Sequence, residues 1–324
     1  MIDPMVPGTR PTPTRFRIPV LALLAVCAAL PPAAHPESGY VARGGSDDSD
    51  CSDSAPCASL DRAASPLVPG DTLHVVHSGE GDEAWIGELF RGASLHSGRY
   101  RGLITRTGEG RRDLRGFIRL ATAWGTGLRP RFDSAALAIP NLADALTEQT
   151  GIAASVDRHI FIGSPQFMRS PFVYITADEV FDLTDSETRA LGEYLRGGGF
   201  VFADNAVPGL EFSQAEAALR GLFQEALGHS GRLRRIPDGH PLYSCFYDFN
   251  GPPPGWEEAW PRHYLEGVFL EGRLAGLFAD KGYVHFWAQP FGNEAHLRLG
   301  INAVVHAMTT GTLARQLHLV LPER

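Results

Sequence analysis

The feature that most constrains the fold is an alternation of strand-like and helix-like segments from Phe117 onward. Apolar runs of strand length occur at 117–122, 171–176 and 200–203, and the segments between them have apolar residues at helical spacing. Strands that alternate with helices predict a mostly parallel sheet with helices on both faces. We therefore predict an α/β domain over residues 116–311.

Capping and breaking residues predict where several helices begin and end. Two segments have the spacing of a capping box, Thr184–Glu187 and Ser213–Glu216. The helices that follow should end at Gly197 and Gly228, because glycine readily terminates a helix. Pro140 is predicted at the start of an earlier helix, since its fixed φ suits the first turn.

The first 34 residues have the pattern of a secretory signal peptide. Three arginines precede thirteen mostly apolar residues, Ile18 to Leu30, and small residues follow at Ala33 and Ala34. The apolar run is shorter than the roughly 20 residues of a membrane-spanning helix. We predict an exported protein, periplasmic or extracellular. An uncleaved N-terminal anchor and acylation of Cys27 are the alternatives, and the only membrane attachments that we predict.

Charge argues against two classes of partner. The formal net charge is −8 at pH 7, and removal of the arginine-containing leader makes it more negative. Such a charge disfavours binding to nucleic acid and to anionic membranes. Residues 81–115 are rich in Gly and Arg but poor in the aromatic residues that stack on bases, so we predict a solvated linker there and no nucleic-acid site.

The cysteines agree with export. Cys51 and Cys57 lie six residues apart in a loop rich in Ser and Asp, where a disulfide suits an oxidising compartment. Cys245 lies among aromatic residues and is predicted to be a small buried apolar residue rather than a nucleophile. No metal site is predicted, because a second Cys/His pair is missing and the acidic loop at 47–53 lacks the Gly and distal Glu of an EF-hand.

Residues 40–80 carry a first resemblance. They combine Tyr40-Val41 with a Gly-Ser-Asp segment and with the turn sequence Pro69-Gly70-Asp71-Thr72, which predicts a strand, a short helix, a turn and a second strand. The order resembles the N-terminal cap of secreted parallel β-helix proteins. Because no repeating coils follow, we predict only a small β-rich extension over 35–80.

A second resemblance covers about residues 116–310. It is carried by segments whose order and spacing match a known family: Phe117-Ile118-Arg119-Leu120, Pro140-Asn141-Leu142, Pro171 to Thr176, Gly198 to Asp204, His240-Pro241-Leu242-Tyr243, Gly251-Pro252-Pro253, Asp280-Lys281-Gly282-Tyr283 and Gly300-Ile301-Asn302. The chain is identified as a member of the domain of unknown function 4159 family. The resemblance implies a flavodoxin-like sheet related to class I glutamine amidotransferases. It also implies envelope partners, MoxR-type ATPases and von Willebrand A-domain proteins. We predict no cofactor.

Asp204 is the first candidate site residue. It follows a predicted central strand, at the carboxyl edge where open α/β sheets bind ligands. The resemblance places it where amidotransferases have their nucleophilic cysteine, and a carboxylate cannot perform thiolate acyl chemistry. Two interpretations stay open for Asp204 and its neighbour Asn205. They bind a polar ligand or a cation, with Asp204 as a general base, or they accept backbone N–H groups as helix caps.

His240 is the second catalytic candidate. Pro241 favours an extended conformation at His240, so its ring is held in a fixed direction and could pair with Asp204 as a His–carboxylate dyad. The alternative is a structural histidine that bonds to a backbone carbonyl.

Three further residues are candidate ligand contacts. Lys281 is the only lysine of the chain, and either offers a compact ammonium to a ligand or forms a surface salt bridge with Asp280. His285 and Trp287 either form a stacking wall for a ligand or cover a hairpin at the sheet edge.

Together these observations favour an exported, non-catalytic, amidotransferase-like binding or interaction module of the cell envelope, with a tail at 312–324. One alternative is a hydrolase that uses Asp204 and His240, with Lys281 as an optional third member, at the carboxyl edge of the sheet. The other is a purely structural envelope protein, in which aromatic side chains fill the sheet edge and leave no cavity.

Overall fold

The computed structural model describes residues 38–59, 62–63, 72–76, 101–106, 110–209, 213–256, 263–310 and 315–320. The predicted signal peptide, with Cys27, lies outside these residues. None of the described helices combines the length and the apolarity that crossing a membrane requires.

Strands of the described residues form one sheet. They are β1 (Ser38–Ala42), β2 (Thr72–Val76), β3 (Gly102–Arg106), β4 (Leu114–Trp124), β5 (Gly151–Phe161), β6 (Phe172–Ala177), β7 (Phe200–Asn205), β8 (Arg234–Arg235), β9 (Glu266–Leu270), β10 (Arg273–Ala279) and β11 (Arg315–Val320). Their order is β1-β2-β11-β3-β4-β6-β7-β10-β9-β8, and β5 also pairs with β4. β3 pairs with the first part of β4 and β6 with its later part, both along one edge. β5 pairs with the opposite edge of β4.

Helices lie on both faces of this sheet. They are α1 (Asp133–Gln149), α2 (Pro165–Arg169), α3 (Asp185–Arg196), α4 (Gln214–Leu227), α5 (Tyr283–Ala288) and α6 (Glu294–Thr310). One hydrophobic core joins the sheet to α1, α5 and α6, and a second core joins it to α2, α3 and α4. The predicted α/β class, with a mostly parallel sheet between helices, is confirmed.

The centre of the sheet is the parallel pair β6 and β7. Every residue of both strands is buried, as their uninterrupted apolar sequences predict for strands covered on both faces. Their register pairs Phe172 with Phe200 and Thr176 with Asp204. β10 continues the parallel order beside β7, and β9, which precedes it in the chain, pairs with it as an antiparallel hairpin.

The helix caps follow the sequence signals, with one exception. Thr184 and Glu187 form both halves of the capping box, and Ser213 caps α4. Pro140, however, lies inside α1, which begins seven residues earlier at Asp133. The Ala-rich segment before it has a high helix propensity, and buried residues on both sides of the proline hold the helix against the sheet.

The sheet extends beyond both ends of the predicted α/β domain. The interval 81–115, predicted as a linker, contains β3 and the start of β4, and the predicted tail 312–324 contains β11. β11 pairs with β2 and β3, so these strands and the predicted extension continue the same sheet. No local sequence pattern predicts such pairing, because the paired strands are far apart in the chain.

The loop after β1 is closed by a disulfide between Cys51 and Cys57, both of which are buried. Asp47 accepts the backbone N–H groups of Ala58 at 3.0 Å and Ser59 at 2.8 Å. The acidic loop thus satisfies backbone donors. Within the described residues there is no cluster of three or more Cys, His, Asp or Glu that could hold a metal ion.

A glycine substitution tests the packing between α3 and β7. A Cβ at Gly199 would meet the buried ring of Tyr194, whose hydroxyl bonds to the backbone of Ser170 at 2.9 Å and Phe200 at 3.0 Å. Gly199→Ala should lower the free energy of unfolding by about 1–3 kcal/mol, the usual cost of overpacking. Gly239→Ala is the control, since a Cβ there meets open space, and urea denaturation compares the two. Equal effects at both positions would contradict this packing.

Candidate functional site

The parallel strands bring polar residues to one edge of the sheet. Because β7 and β10 run in the same direction, their carboxyl ends lie side by side, and Asp204 pairs with Ala279. Asn205 ends β7, and Asp280 and Lys281 directly follow β10. All four polar residues are buried. The carboxyl edge predicted for Asp204 is therefore where the structure places it.

Two donors hold the Asp204 carboxylate. Its Oδ2 accepts the Tyr174 hydroxyl at 3.0 Å and the backbone N–H of Val284 at 2.8 Å. Val284 lies in the first turn of α5, so Asp204 caps a helix that is distant in sequence. Its other oxygen, Oδ1, has no hydrogen-bond partner. The structure thus agrees with the interpretation that Asp204 accepts backbone N–H groups. The helix that it caps is α5 and not α4, which follows it in the chain.

Burial raises the pKa of Asp204 from its ordinary value of 3.8 to about 7. The N–H groups of Val284 and Tyr283 and the Tyr174 hydroxyl lower this pKa, and the nearby Asp280 carboxylate raises it. Burial raises the pKa of the Tyr174 hydroxyl, and the Asp204 carboxylate raises it further. A carboxyl group with a pKa of about 7 is mostly protonated at mildly acidic pH.

Asn205 and Asp280 bind each other. The Asn205 side-chain amide donates to Asp280 Oδ1 at 2.7 Å and to the Val207 carbonyl at 3.2 Å, and its oxygen accepts the Val207 N–H. The Asn205 carbonyl accepts the Gly282 N–H at 2.9 Å. These bonds tie the end of β7 to the segment that leads into α5.

Lys281 is buried, with 1% of its surface exposed, so a surface salt bridge with Asp280 is wrong. The Lys281 backbone carbonyl accepts the Trp256 N–H at 2.8 Å, which joins Trp256 to this edge of the sheet. Burial lowers the pKa of the nearby His296 imidazole, and the charge of Lys281 lowers it further.

The structure does not assemble the predicted dyad of Asp204 and His240. His240 caps a short turn by accepting the Leu242 N–H at Nδ1, 3.1 Å away, and its ring lies 5.3 Å from the His306 ring. The His306 ring is 5.9 Å from that of Phe200, the first residue of β7. Asp204 lies four residues further along that strand, or about 13 Å at 3.3 Å per residue. His240 is therefore at the opposite, amino edge of the sheet.

Trp287 is a core residue rather than a ligand wall. It is fully buried, its ring packs 5.1 Å from Tyr174 and 5.3 Å from Phe202, and its indole N–H donates to the His296 carbonyl. The aromatic pattern did not distinguish this core packing from an exposed stack, because both need large flat side chains.

His285 is half-buried and bridges two elements. Its Nδ1 lies 2.9 Å from the Ser134 hydroxyl in α1, and its Nε2 lies 2.7 Å from the Ala206 carbonyl just after β7. Its ring also lies 5.9 Å from the Phe132 ring. His285 therefore fixes the first turn of α1 beside the end of β7.

A cleft of about 450 Å³ lies next to this bridge, between the first half of α1 and the ends of β4 and β5. We call it the carboxyl-edge cleft; its lining residues are Thr122, Trp124, Pro130, Arg131, Phe132, Asp133, Ala135, Ala136, Ile139, Pro140, Val156 and His159. None of these residues is among the site residues predicted from the sequence. They come from segments that are distant from one another in the chain.

A β-bulge builds one wall of the cleft. Leu120 pairs with Val156, but Thr122 pairs with His159, so β5 has one extra residue between the two pairs. The extra residue places His159 on the same face of β5 as Val156. There the His159 ring stacks on Trp124, with ring centres 4.2 Å apart. Strict alternation in the sequence would have placed the two side chains on opposite faces.

At the amino edge, His306 is a further buried titratable group that the sequence analysis missed. Burial and, to a smaller extent, the neighbouring His240 and Arg273 lower its pKa to about 4. Neither ring nitrogen of His306 has a hydrogen-bond partner. His306 therefore stays neutral in the folded protein down to mildly acidic pH.

Fold and site together define an α/β protein with a parallel sheet, a polar network sealed inside its carboxyl edge and an open cleft beside that network. The model of the family described as "Domain of unknown function (DUF4159)" matches residues 117–308, more than half of the chain. The protein belongs to this family. Among the curated proteins no match is found.

The raised pKa of Asp204 gives a pH-dependent test. Because the folded pKa is above the unfolded one, the stability that this group contributes is complete below about pH 3.8 and is lost as pH rises through 7. Unfolding free energies of wild type and Asp204→Asn, measured from pH 4 to 8, isolate this group. Relative to the variant, wild type should lose a few kcal/mol over that range, at about 1.4 kcal/mol per pKa unit.

Asp144→Asn, at an exposed carboxylate on α1, is the matched control and should show no such trend. A difference between wild type and Asp204→Asn that stays flat or grows in favour of wild type as pH rises would contradict the assignment.

Proposed function

We propose that this protein is an exported, non-catalytic binding module of the cell envelope, which holds its ligand in the carboxyl-edge cleft. One observation carries the proposal. The polar residues that the sequence offered for chemistry, Asp204, Asn205 and Lys281, are buried within the fold, whereas the cleft beside them is open and mostly apolar.

The composition of the cleft supports binding. Ligand sites are concave, mostly apolar and carry a few polar groups that orient the ligand, with volumes of roughly 300–1,000 Å³. The cleft has a volume of about 450 Å³ and mixes aromatic and aliphatic walls with Arg131 and Asp133 at the start of α1. A purely structural protein has no need of such a cavity at its sheet edge.

The hydrolase alternative has weaker support. A general base must reach the reacting group directly or through one water. Asp204 is fully buried, and His240 lies at the other edge of the sheet, so neither can act on a substrate with the other.

Export and partners complete the proposal. The disulfide between Cys51 and Cys57 supports an oxidising compartment, in agreement with the leader-like first 34 residues. The amidotransferase-like relationship rests on the position of Asp204 after a Gly-Gly-apolar strand. Association with MoxR-type ATPase and von Willebrand A-domain systems rests on family resemblance.

Filling the cleft tests the binding function. Ala136 lines the cleft and is exposed, so Ala136→Trp should occupy the cavity without disturbing the core. Indole, phenol and cyclohexanol should raise the melting temperature of wild type, since a ligand that binds only the folded state stabilises it. Their affinities should fall at least about tenfold in Ala136→Trp, equivalent to about 1.4 kcal/mol.

Leu137→Trp is the matched control, because Leu137 is half exposed on the same helix and does not line the cleft. It should bind the three compounds as wild type does. No stabilisation by any of them, or the same response in both tryptophan variants, would count against the cleft as the ligand site.

Export predicts how many thiols react. The chain has four cysteines; Cys27 leaves with the leader and two are oxidised, so protein denatured without reductant should react with a maleimide once, and three times after reduction. Mass spectrometry counts the additions. Two additions before reduction and four after would indicate a retained leader, and four before reduction would contradict export.

A further inference from the structure

We propose that the carboxyl-edge cleft binds a free α-amino acid, as its zwitterion, with a large apolar or aromatic side chain. This inference rests on the proposed function, because it names the ligand class of the same cleft.

The walls of the cleft favour a flat apolar group. Trp124 and His159 stack on one side, and Phe132, Ile139 and Val156 add apolar surface. A volume of about 450 Å³ is at the small end of the range for ligand sites, which suits a compact molecule with one or two rings. Aromatic side chains gain most of their binding energy by burying both faces in such a slot.

The start of α1 supplies opposite charges. Arg131 and Asp133 both line the cleft and are both exposed, with Phe132 between them in the chain. Phe132 is the N-cap of α1 and makes no side-chain capping bond to the first N–H groups of that helix. A ligand carboxylate beside Arg131 would therefore also lie near the positive end of a helix of 17 residues.

The pair of charges distinguishes between ligand classes. A purely anionic ligand would meet the Asp133 carboxylate, and a purely cationic one would meet the Arg131 guanidinium. A neutral ligand would leave both groups unused. An α-amino acid carries its carboxylate and its ammonium on one carbon, next to the side chain that would fill the slot. The interior of a peptide has neither group, and each peptide end has only one.

Calorimetric titration with L-tryptophan and three derivatives separates the contributions of the ligand's carboxylate and ammonium. L-Tryptophan has both charges, N-acetyl-L-tryptophan lacks the ammonium, L-tryptophanamide lacks the carboxylate, and N-acetyl-L-tryptophanamide lacks both. We expect L-tryptophan to bind at least about tenfold more tightly than any of the other three, because charge-assisted hydrogen bonds are the stronger ones.

Two variants assign the charges. Arg131→Gln should weaken L-tryptophan but not L-tryptophanamide, and Asp133→Asn should weaken L-tryptophan but not N-acetyl-L-tryptophan. Arg129→Gln is the control, since Arg129 is exposed nearby and does not line the cleft. Melting temperatures verify that each variant is folded, because Asp133 also lies in the first turn of α1.

The outcomes separate this inference from the proposed function. Binding of all four compounds within about twofold of one another, lost in Ala136→Trp, would overturn the amino-acid class and leave the cleft as a neutral apolar site. If neither L-tryptophan, L-phenylalanine nor L-leucine binds, the amino-acid class is also overturned, and the ring-compound test decides the proposed function alone. Binding of L-tryptophan that Ala136→Trp leaves unchanged would overturn both.

Discussion

The Asp204 carboxylate connects the sheet to the cleft. It accepts one bond from Tyr174 in β6 and one from the first turn of α5, so it fixes this short helix against the carboxyl edge. α5 carries His285, which in turn contacts Ser134 in α1 and the chain just after β7. α1 forms one wall of the carboxyl-edge cleft. The shape of the cleft therefore depends on the buried bonds of Asp204, which lies in β7.

Such a connection has an energetic cost that depends on pH. Burial favours the protonated form of Asp204 and the neutral form of His306, so ionisation of the first at high pH and of the second at low pH both oppose folding. The two groups lie at opposite edges of the sheet. Asp204 lowers the free energy of unfolding at high pH and His306 lowers it at low pH, so both favour maximal stability at an intermediate pH. Asp204 is buried and bonded to both β6 and α5, so it holds α5 in place; this supports the proposal of a binding module.

The sequence was sufficient to predict those parts of the fold that local patterns control. The buried runs of β6 and β7, the capping box at Thr184 and the hairpin of β9 and β10 all follow from periodicity and capping chemistry. β11 depends on pairing with strands that are distant in the chain, and local patterns therefore predicted a tail for its residues. Pro140 was misplaced because the tertiary packing of α1 outweighs the local preference of proline for the first turn.

The same distinction holds for the site. Asp204 could be placed at the carboxyl edge because strand direction follows from the α/β alternation. His240 could not be placed, since its position depends on packing against α6, and the cleft depends on a bulge in β5. The most direct test of the account uses the indole N–H signals of the protein in ¹H–¹⁵N spectra during titration with L-tryptophan. The signal of Trp124 should move while that of the buried Trp287 does not; movement of Trp287 with Trp124 unchanged would contradict ligand binding in the carboxyl-edge cleft.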